Sequence, residues 1–287
     1  MTQTNTRLAL PKGRMQEALF RLLRDAGVDC DAGLRSYRPD GLLPGFTAKI
    51  LKPRNIAEML HVGTRDAGFA GADWVAELDL DLVEVLDLGL DNVRVVAAAP
   101  ESFLVDGSFP DGVVRVATEY ENLTRRWIEQ RDLEATVIRS FGATEVFPPE
   151  DADCIVDNVS TGSTLRANNL VVVDELMTST TRLYANPRSM EDAEQRERIE
   201  QLAVLLRSVL AARERVLLEI NVPGESLEAL VATLPCMRQP TISKLHHDDW
   251  YAVRVAVPRA DLPRLIPEIK ARGGTDLLVS KLDQIVP

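Results

Sequence analysis

Residues 154–168 read CIVDNVSTGSTLRAN, a stretch that combines an apolar strand, a polar turn and the start of a helix. The turn is rich in hydroxyls and contains Gly162, which lets a backbone approach a phosphate closely. Backbone N–H groups at such a strand-to-helix turn also favour anions. The stretch therefore predicts a phosphate-binding strand–loop–helix in an α/β enzyme. The alternative is an ordinary polar turn, since Ser, Thr and Gly dominate turns.

Each polar residue of this loop has a role in that interpretation. Asp157 is placed to accept hydrogen bonds from ribose hydroxyls. The candidate hydroxyl and amide donors to a phosphate are Ser160, Thr161, Ser163 and Thr164.

Outward from this loop, short apolar runs alternate with amphipathic stretches, which is the pattern of βαβ units. The predicted strands are 7–10, 66–70, 93–99, 113–117, 135–138, 154–159 and 170–173, and the predicted helices are 15–26, a short one from about 73, and 122–130. The longest helix is expected from about Ser189 to Arg213, with Ser189 and Asp192 as a capping box.

The last 70 residues follow a different order. Strands are expected at 216–222, 241–245, 251–257 and 277–282, and helices at 227–234 and 262–272. This β-α-β-β-α-β order is typical of ferredoxin-like domains.

A second anion-binding candidate follows the first strand. Lys12 and Arg14 flank Gly13 at a helix entrance, and Arg14 is suited to forked contacts with a phosphate. Lys52 and Arg54 add two further cations. The alternative is a solvated basic turn.

Two further strand ends precede helices. In 68–73, GFAGAD, the acid Asp73 is either a site residue or a helix N-cap. In 115–120, RVATEY, Thr118 ends a strand. The cluster at 246–249, HHDD, is interpreted as a polar hairpin tip rather than a metal site.

Composition excludes several classes of protein. The 287 residues are 45% hydrophobic and 27% charged, so ordinary cores are expected. A net charge of −11 argues against nucleic acid as a partner. The three cysteines lie far apart, and neither a signal peptide nor a run of 18 apolar residues is found, so a cytoplasmic protein without membrane contact is expected.

The chain resembles the long form of the ATP phosphoribosyltransferases nearly from end to end. The shared motifs are LALPKGRM at 8–15, LKPRNI at 51–56, GFAGADWV at 68–75, RVATEYENLTRRW at 115–127, IVDNVSTGSTLRANNL at 155–170 and QPTISKL at 239–245. Their order along the chain is more specific than any one of them.

The resemblance implies an α/β fold with a two-lobed catalytic region like the periplasmic binding proteins and a C-terminal ferredoxin-like regulatory domain. Lobe one would comprise 1–93 with 186–213, lobe two 94–185, and the regulatory domain 214–287. The return of the long helix to lobe one comes from the resemblance alone.

It also implies the reaction: adenine N1 of ATP attacks C1 of 5-phosphoribosyl pyrophosphate (PRPP), with loss of pyrophosphate, as the first step of histidine biosynthesis. Residues 157 and 160–164 would bind PRPP. Gly13, Lys52, Arg54 and Asp73 would bind ATP. Lys12 and Arg14 would act in catalysis with Mg²⁺, whose ligands the sequence does not identify.

Histidine would inhibit by binding at Asn221, Thr241 and Ser243, and the chain would form homo-oligomers from dimer to hexamer. Three positions depart from the family pattern: Asn158 replaces a second acid found in the loops of other phosphoribosyltransferases, Ser163 a frequent arginine, and Asn221 a frequent acid. Weaker histidine inhibition is one expectation from Asn221.

Three alternatives stay open: a phosphoribosyltransferase with a single Rossmann-like core, a binding module without catalysis, and a catalytically silent regulatory paralogue. The ferredoxin-like tail and the 115–127 segment argue against the first. The missing signal peptide and the two phosphate-type loops argue against the second. Lys12, Arg14 and the intact loop argue against the third.

Overall fold

The structure is a computed structural model that describes residues 5–30, 37–39, 42–237, 239–246 and 249–286. Its internal contacts divide the chain into two compact units, residues 1–24 with 28–203 and residues 25–27 with 204–287. The division falls inside the longest helix.

The first unit alternates strands and helices. Its strands are β1 (Thr6–Pro11), β2 (Phe46–Leu51), β3 (Ala67–Gly71), β4 (Val83–Pro100), β5 (Val114–Thr118), β6 (Ala135–Arg139), β7 (Cys154–Val159) and β8 (Leu170–Ala185). Its helices are α1 (Arg14–Asp25), α2 (Pro53–His61), α3 (Ala72–Glu77), α4 (Glu121–Gln130), α5 (Ser163–Ala167), α6 (Pro187–Glu191) and the first part of α7 (Ala193–Arg213).

These eight strands form one sheet in the order β2-β1-β3-β8-β4-β7-β5-β6. The outer three strands on each side are parallel to one another, and the long antiparallel pair β4 and β8 joins the two sides. Two α/β lobes that share a pair of strands confirm the predicted two-lobed catalytic region. The residue numbers at which one lobe ends and the other begins stay a prediction.

Continuous apolar runs place the inner strands in the core. In β4, residues 95–99 are at most 1% exposed, as are Leu8, Ala9 and Leu10 of β1. Such runs without polar alternation are typical of strands covered on both faces. The phosphate-type loops therefore start from rigid, buried strands.

The two joining strands are much longer than the sequence predicts. The apolar run 93–99 is the mostly buried end of β4, whereas 170–173 is only the largely exposed start of β8, whose buried residues lie mainly between Ser179 and Ala185. Their other parts are rich in polar residues, and the β4–β8 register shifts at several points between Glu84 and Ala98. Bulges of this kind break the two-residue alternation on which strand prediction depends.

Two further predictions need correction. The helix expected over 189–213 is two helices, because Asp192 is extended between α6 and α7. The predicted capping box is wrong, because Asn186 caps α6 and Ser189 donates instead to Asp66 (3.2 Å). Asp192 accepts from the N–H of Gln195 at the start of α7 (2.9 Å). The strand β2 and the helix α2 were not predicted at all.

The second unit holds the end of α7 and the C-terminal elements. These are β9 (Arg215–Pro223), α8 (Gly224–Val231), β10 (Thr241–Lys244), β11 (Trp250–Pro258), α9 (Leu262–Ala271) and β12 (Thr275–Lys281). The antiparallel sheet has the order β10-β11-β9-β12, so the two strands of each β-α-β unit are separated by one strand of the other unit. This split arrangement confirms the ferredoxin-like prediction.

One face of this second sheet carries the core. Val216, Leu218, Ile220 and Val222 of β9 pack with Leu230 of α8 and with the apolar side of α9. The intervening residues of β9 point to the opposite face. In the part of the chain that the structure describes, no helix is long and apolar enough to cross a membrane.

Candidate active site

The carboxyl ends of strands from both lobes converge at the middle of the β4–β8 pair. The last residue of β3, Gly71, pairs with Thr181, which in turn pairs with Leu90 of β4. The last residue of β7, Val159, pairs with Arg94. β3 runs in the same direction as β4, and β7 runs in the opposite direction. The loops that follow β3 and β7 therefore meet at one cleft.

Two adjoining cavities occupy this cleft. One, of about 380 Å³, is lined by the β7 loop from Asp157 to Leu165 together with Arg14, Glu119 and Glu145. The other, of about 360 Å³, is lined mainly by residues that follow β1 and β3 and by parts of β4 and β8. Its polar lining residues are Lys12, Arg14, Asp73, Asp91, Asn158, Ser179, Thr180 and Thr181. Arg14 and Asn158 line both cavities.

The loop after β7, residues 160–164, exposes its hydroxyls to the first cavity. Thr161 Oγ1 lies 3.0 Å from Ser163 Oγ, and Gly162 has φ = +71°, a conformation that glycine adopts without strain. Arg166 donates to the carbonyl of Thr161 (3.2 Å) and would lie 3.1 Å from a Cβ at position 162. The loop is thus shaped by glycine and braced by an arginine that the sequence analysis did not single out.

Asp157 lies half-buried at the end of β7. It accepts from the N–H of Asn158 (2.7 Å). Burial, reinforced by the carboxylates of Glu119 and Glu145, raises the pKa of Asp157 to about 6. A carboxylate with this pKa carries its charge at neutral pH but loses it in mild acid.

The loop after β1 presents two cations. Gly13 has φ = +82°, which turns the chain from the buried strand into α1. Arg14 is exposed, and Lys12 is half-buried with Nζ 5.6 Å from the ring centroid of Tyr37. Among the described residues, neither Lys12 nor Arg14 forms an ion pair, so both charges are available to a ligand.

The two cations near α2 differ from each other. Lys52 is exposed just before α2. Arg54 lies over the ring of Trp74 (5.5 Å to the centroid) and pairs with Glu58 (3.2 Å). Neither residue lines the two cavities described above, whereas Pro53 between them does.

Asp73 is not an N-cap. Gly71 occupies that position, and the side chain of Asp73, only 5% exposed, belongs to a buried hydrogen-bond network. Ser179 Oγ donates to one carboxylate oxygen (2.8 Å), and the hydroxyl of Tyr120 donates to the other (2.7 Å). Tyr120 follows β5 in the opposite lobe, so the network spans the cleft floor.

Tyr120 is the centre of this network. Its side chain is fully buried and stacks on Trp74 (4.7 Å between centroids), and its hydroxyl also accepts from Asn158 Nδ2 (2.9 Å). Burial and the neighbouring Asp73 carboxylate raise the pKa of Tyr120 well above its usual value. The phenol therefore stays protonated and donates to Asp73.

A second link between the lobes lies beside the first. Glu77 at the end of α3 accepts from the N–H groups of Asn122 (3.0 Å) and Leu123 (2.9 Å), and so caps α4 from outside that helix. The side chain of Asn122 donates in return to the carbonyl of Glu77 (2.8 Å). Burial raises the pKa of Glu77.

Several cleft residues were missed from the sequence. Glu119 and Tyr120 lie in the 115–120 segment, whose pattern predicts only the end of a strand. Ser179, Thr180 and Thr181 follow the apolar run at 170–173, and nothing in their own spacing signals a strand.

In the second unit, the three candidate histidine contacts share one face of the sheet. Asn221 pairs in register with Ala252, and Ala252 pairs with Ser243, while Thr241 lies two residues along the same edge strand. This is the face opposite the apolar core. Asn221 Nδ2 donates to Asp276 (3.1 Å), which places an acid next to this asparagine.

The histidine and aspartate run at 246–249 gives no metal site in the described part of the chain. His247 and Asp248 lie outside the described residues, and Asp249 pairs with Lys244 (3.5 Å). No group of three or more His, Cys, Asp or Glu side chains suited to a metal ion occurs among the described residues.

Comparison with known proteins agrees with the geometry. The family described as ATP phosphoribosyltransferase matches residues 52–208, and the family described as HisG, C-terminal domain matches residues 212–284. A solved ATP phosphoribosyl transferase (HisG:HisZ) complex from Thermotoga maritima contains a chain that superimposes with a TM-score of 0.62 at 28% identity, over 70% of this chain and 98% of that one.

Curated relatives match along the whole length. An ATP phosphoribosyltransferase from Pelotomaculum thermopropionicum is 40% identical over 98% of this chain and 99% of its own. One from Desulforudis audaxviator is 38% identical over the same shares of the two chains. The chain belongs to the ATP phosphoribosyltransferase family, the pentosyltransferases of the first step of histidine biosynthesis, and carries the C-terminal domain of that family.

Proposed function

We propose that ATP and PRPP meet in the cleft between the two lobes, where this chain condenses them to N1-(5-phosphoribosyl)-ATP and pyrophosphate. One observation carries the proposal: a hydroxyl-rich loop with an acid and a loop with two unpaired cations face the same cleft from opposite lobes. A transfer between two phosphorylated substrates requires both kinds of contact.

In this proposal the β7 loop binds the 5-phosphoribosyl group. The exposed hydroxyls of Ser160, Thr161, Ser163 and Thr164 and the backbone at Gly162 contact the 5-phosphate. Asp157 accepts hydrogen bonds from the ribose hydroxyls. The support is geometric, because these side chains line one cavity and Asp157 lies at its inner end.

ATP then occupies the cavity beyond β1 and β3. Gly13 and Lys52 do not line this cavity but adjoin Lys12 and Pro53, which do, and from there they contact the phosphates in this proposal. Asp73 and Arg54 act through their neighbours: Asp73 fixes Tyr120 and Ser179, and Arg54 rests on Trp74. All four residues are assigned to ATP from the resemblance, and the contacts of Asp73 and Arg54 support positioning roles for those two.

The chemistry is substitution at C1 of the ribose. The lone pair of adenine N1 forms the new N–C bond as the bond to the pyrophosphate oxygen breaks, and configuration at C1 inverts. Arg14, which lines both cavities, and Lys12 stabilise negative charge that grows on the leaving pyrophosphate. Neutral N1 carries no proton to remove, so catalysis rests on positioning and electrostatics.

Mg²⁺ fits this site as an ion that arrives with the substrate. The described residues contain no cluster of three metal-binding side chains, and Mg²⁺ is often held by one or two carboxylates together with substrate phosphates. Glu119, Glu145 and Asp157 are the carboxylates on the wall of the first cavity. Bound to pyrophosphate, the ion supplies charge neutralisation.

A direct assay tests the proposal. The protein is mixed with ATP, PRPP and Mg²⁺, and ultraviolet absorbance of the phosphoribosyl-ATP product is recorded. Product is expected with the wild-type chain and with Arg264→Gln, an exposed control on α9. Absence of product from a folded protein would refute the proposed reaction.

The second unit is proposed to bind histidine as the feedback inhibitor. Asn221, Thr241 and Ser243 lie on the open face of its sheet, and Asp276 adds a carboxylate beside Asn221. Assembly into homo-oligomers, from dimer to hexamer, is proposed from the family resemblance. A cytoplasmic location is proposed from the widely spaced cysteines.

A further inference from the structure

We propose that the side-chain carbonyl of Asn158 is a specificity-determining hydrogen-bond acceptor, which binds a donor group next to one of the two reacting atoms. This inference rests on the proposed function, because it requires that both substrates occupy the cleft. It concerns a residue that differs from the acid expected at this position and that has no role in the phosphate contacts described above.

The orientation of the carboxamide follows from its neighbours. The single proton of the Tyr120 hydroxyl is donated to the Asp73 carboxylate (2.7 Å), so the phenol oxygen is left only as an acceptor toward Asn158. The amide group must therefore present Nδ2 to Tyr120 (2.9 Å). Oδ1 is turned away from Tyr120 as a consequence.

This orientation is held rigidly. Tyr120 is fully buried, its backbone N–H donates to Thr118 Oγ1 (2.8 Å), and its ring stacks on Trp74. Asp73 is fixed in turn by Ser179. A rotated carboxamide would place two acceptors against each other in a buried site, which is costly.

The carbonyl oxygen of the Asn158 carboxamide is available to a ligand in the cleft. Asn158 lines both cavities, and Oδ1 has no hydrogen-bond partner among the described residues. Arg14 is the other residue that lines both cavities, so a cation and an oriented acceptor mark the same junction. The junction is where the two substrates must touch for a bond to form between them.

The ligand chemistry at that point is a neutral hydrogen-bond donor beside a reacting atom. Two substrate groups have this property: the exocyclic amine of adenine, adjacent to N1, and the 2-hydroxyl of the ribose, adjacent to C1. An oriented acceptor discriminates strongly against an analogue that lacks the donor, because the acceptor is then left without a hydrogen-bond partner.

The test measures binding of three ligands by calorimetry: ATP, purine riboside triphosphate, which lacks the exocyclic amine, and PRPP with Mg²⁺. The variants are Asn158→Leu, which keeps the volume but removes the carboxamide, and Asn158→Ala, which adds no bulk if leucine disturbs folding. Thermal unfolding of each variant is recorded alongside.

We expect the Asn158 variants to lose about tenfold in affinity for one ligand only. Weaker binding of ATP, with unchanged affinity for purine riboside triphosphate and for PRPP, identifies the adenine amine as the donor. Weaker PRPP binding with unchanged nucleotides identifies the ribose hydroxyl. Tyr120→Phe, which keeps the stack but removes the constraint on the amide, is expected to weaken the same ligand by a smaller factor.

Unchanged affinity for all three ligands would overturn the inference, and so would an equal loss for all three. The wild-type protein distinguishes this result from failure of the proposed function. If the proposed function is wrong, the wild-type protein binds neither ATP nor PRPP, or it binds both without forming product.

Discussion

The loops after β1 and β7 are built alike and are chemically opposite. Each leaves the carboxyl end of a buried strand, turns at a glycine with positive φ (+82° at Gly13, +71° at Gly162) and enters a helix. The first presents Lys12 and Arg14 with unpaired charges, whereas the second presents hydroxyls and a carboxylate. In the proposed function, one backbone design thus serves two tasks: charge stabilisation in one lobe and orientation of a sugar phosphate in the other.

The comparison explains how an acidic chain handles anions. A net charge of −11 would repel two phosphorylated substrates if it were spread evenly. More than half of the arginines that the structure describes pair with carboxylates, as Arg7 does with Asp66 (2.6 Å) and Arg115 with Asp153 (2.7 Å). Keeping Lys12 and Arg14 out of such pairs concentrates positive potential in the cleft.

The largest effect is expected from the cationic loop. Arg14→Gln should lower kcat/KM for both substrates by about 10²- to 10³-fold, because Arg14 lines both cavities and stabilises charge that grows in the transition state. Steady-state kinetics measure this effect. The matched control is Arg21→Gln on the exposed side of α1, where Arg21 only pairs with Glu17 (2.9 Å). A similar loss in the control would contradict a special role for Arg14.

The hydroxyl loop should give a more selective defect. Thr161→Ala and Asp157→Ala are each expected to raise the KM for PRPP by about tenfold or more and to change the KM for ATP much less, since both side chains are proposed to contact only the phosphoribosyl group. Initial rates at varied PRPP and ATP measure the two constants. Equal losses for both substrates would show that the loop is misplaced.

The protonation of Asp157 should be visible in the pH profile. Asp157 is proposed to accept hydrogen bonds from the ribose hydroxyls as a carboxylate, and its pKa is raised to about 6. The KM for PRPP should therefore rise as pH falls through 6, by a few-fold between pH 7.5 and 5.5. Asp157→Asn, measured over the same range, should lack this step. An identical step in the variant would assign the titration to another group.

Histidine inhibition should change with Asn221. Asn221→Asp restores the acid expected to contact the inhibitor's amino group, and tighter inhibition by a few-fold is expected. The contact with Asp276 limits the gain, because the new carboxylate would lie about as close to Asp276 as Nδ2 does now (3.1 Å). The inhibition constant for histidine decides the point, and an unchanged constant would remove Asn221 from the inhibitor site.

The smallest effect is on stability. The raised pKa means that the folded protein holds the proton of Asp157 more tightly than the unfolded chain does, so ionisation destabilises the unliganded fold. The stabilising contribution of protonated Asp157 should be lost as pH rises from about 4 to about 6, so the stability of Asp157→Asn relative to the wild-type protein should increase over that range. Thermal unfolding in the absence of ligands measures it, and parallel pH curves for the two proteins would contradict it.

Local patterns predicted what depends on neighbours in the sequence. β1 and β7 were predicted almost to the residue, because each is an apolar run that ends in a polar turn. The C-terminal unit was predicted for the same reason. In contrast, the network of Asp73 depends on Ser179 and Tyr120, which are distant in sequence. Ser179 reaches Asp73 through the β3–β8 pairing, and Tyr120 follows β5 on the far side of β4 and β7 in the sheet.

The remaining errors have physical causes. The polar residues 178–181 of β8 have no apolar alternation, so the strand and its part of the cleft were missed. Arg54 was grouped with Lys52 by sequence, but the ring of Trp74 and the carboxylate of Glu58 hold it. Asp192 broke the long helix because its side chain caps the second segment.

The pairing of β3 with β8 has a consequence for synthesis on the ribosome. β3 pairs with β1 on one side, but Ala67 also pairs with Ala185, so β3 gains its second neighbour only when more than a hundred further residues have emerged. Contacts this distant in sequence form late, and an unpaired strand edge invites association with other chains. The nascent first lobe should therefore depend on chaperones until the second lobe has been made.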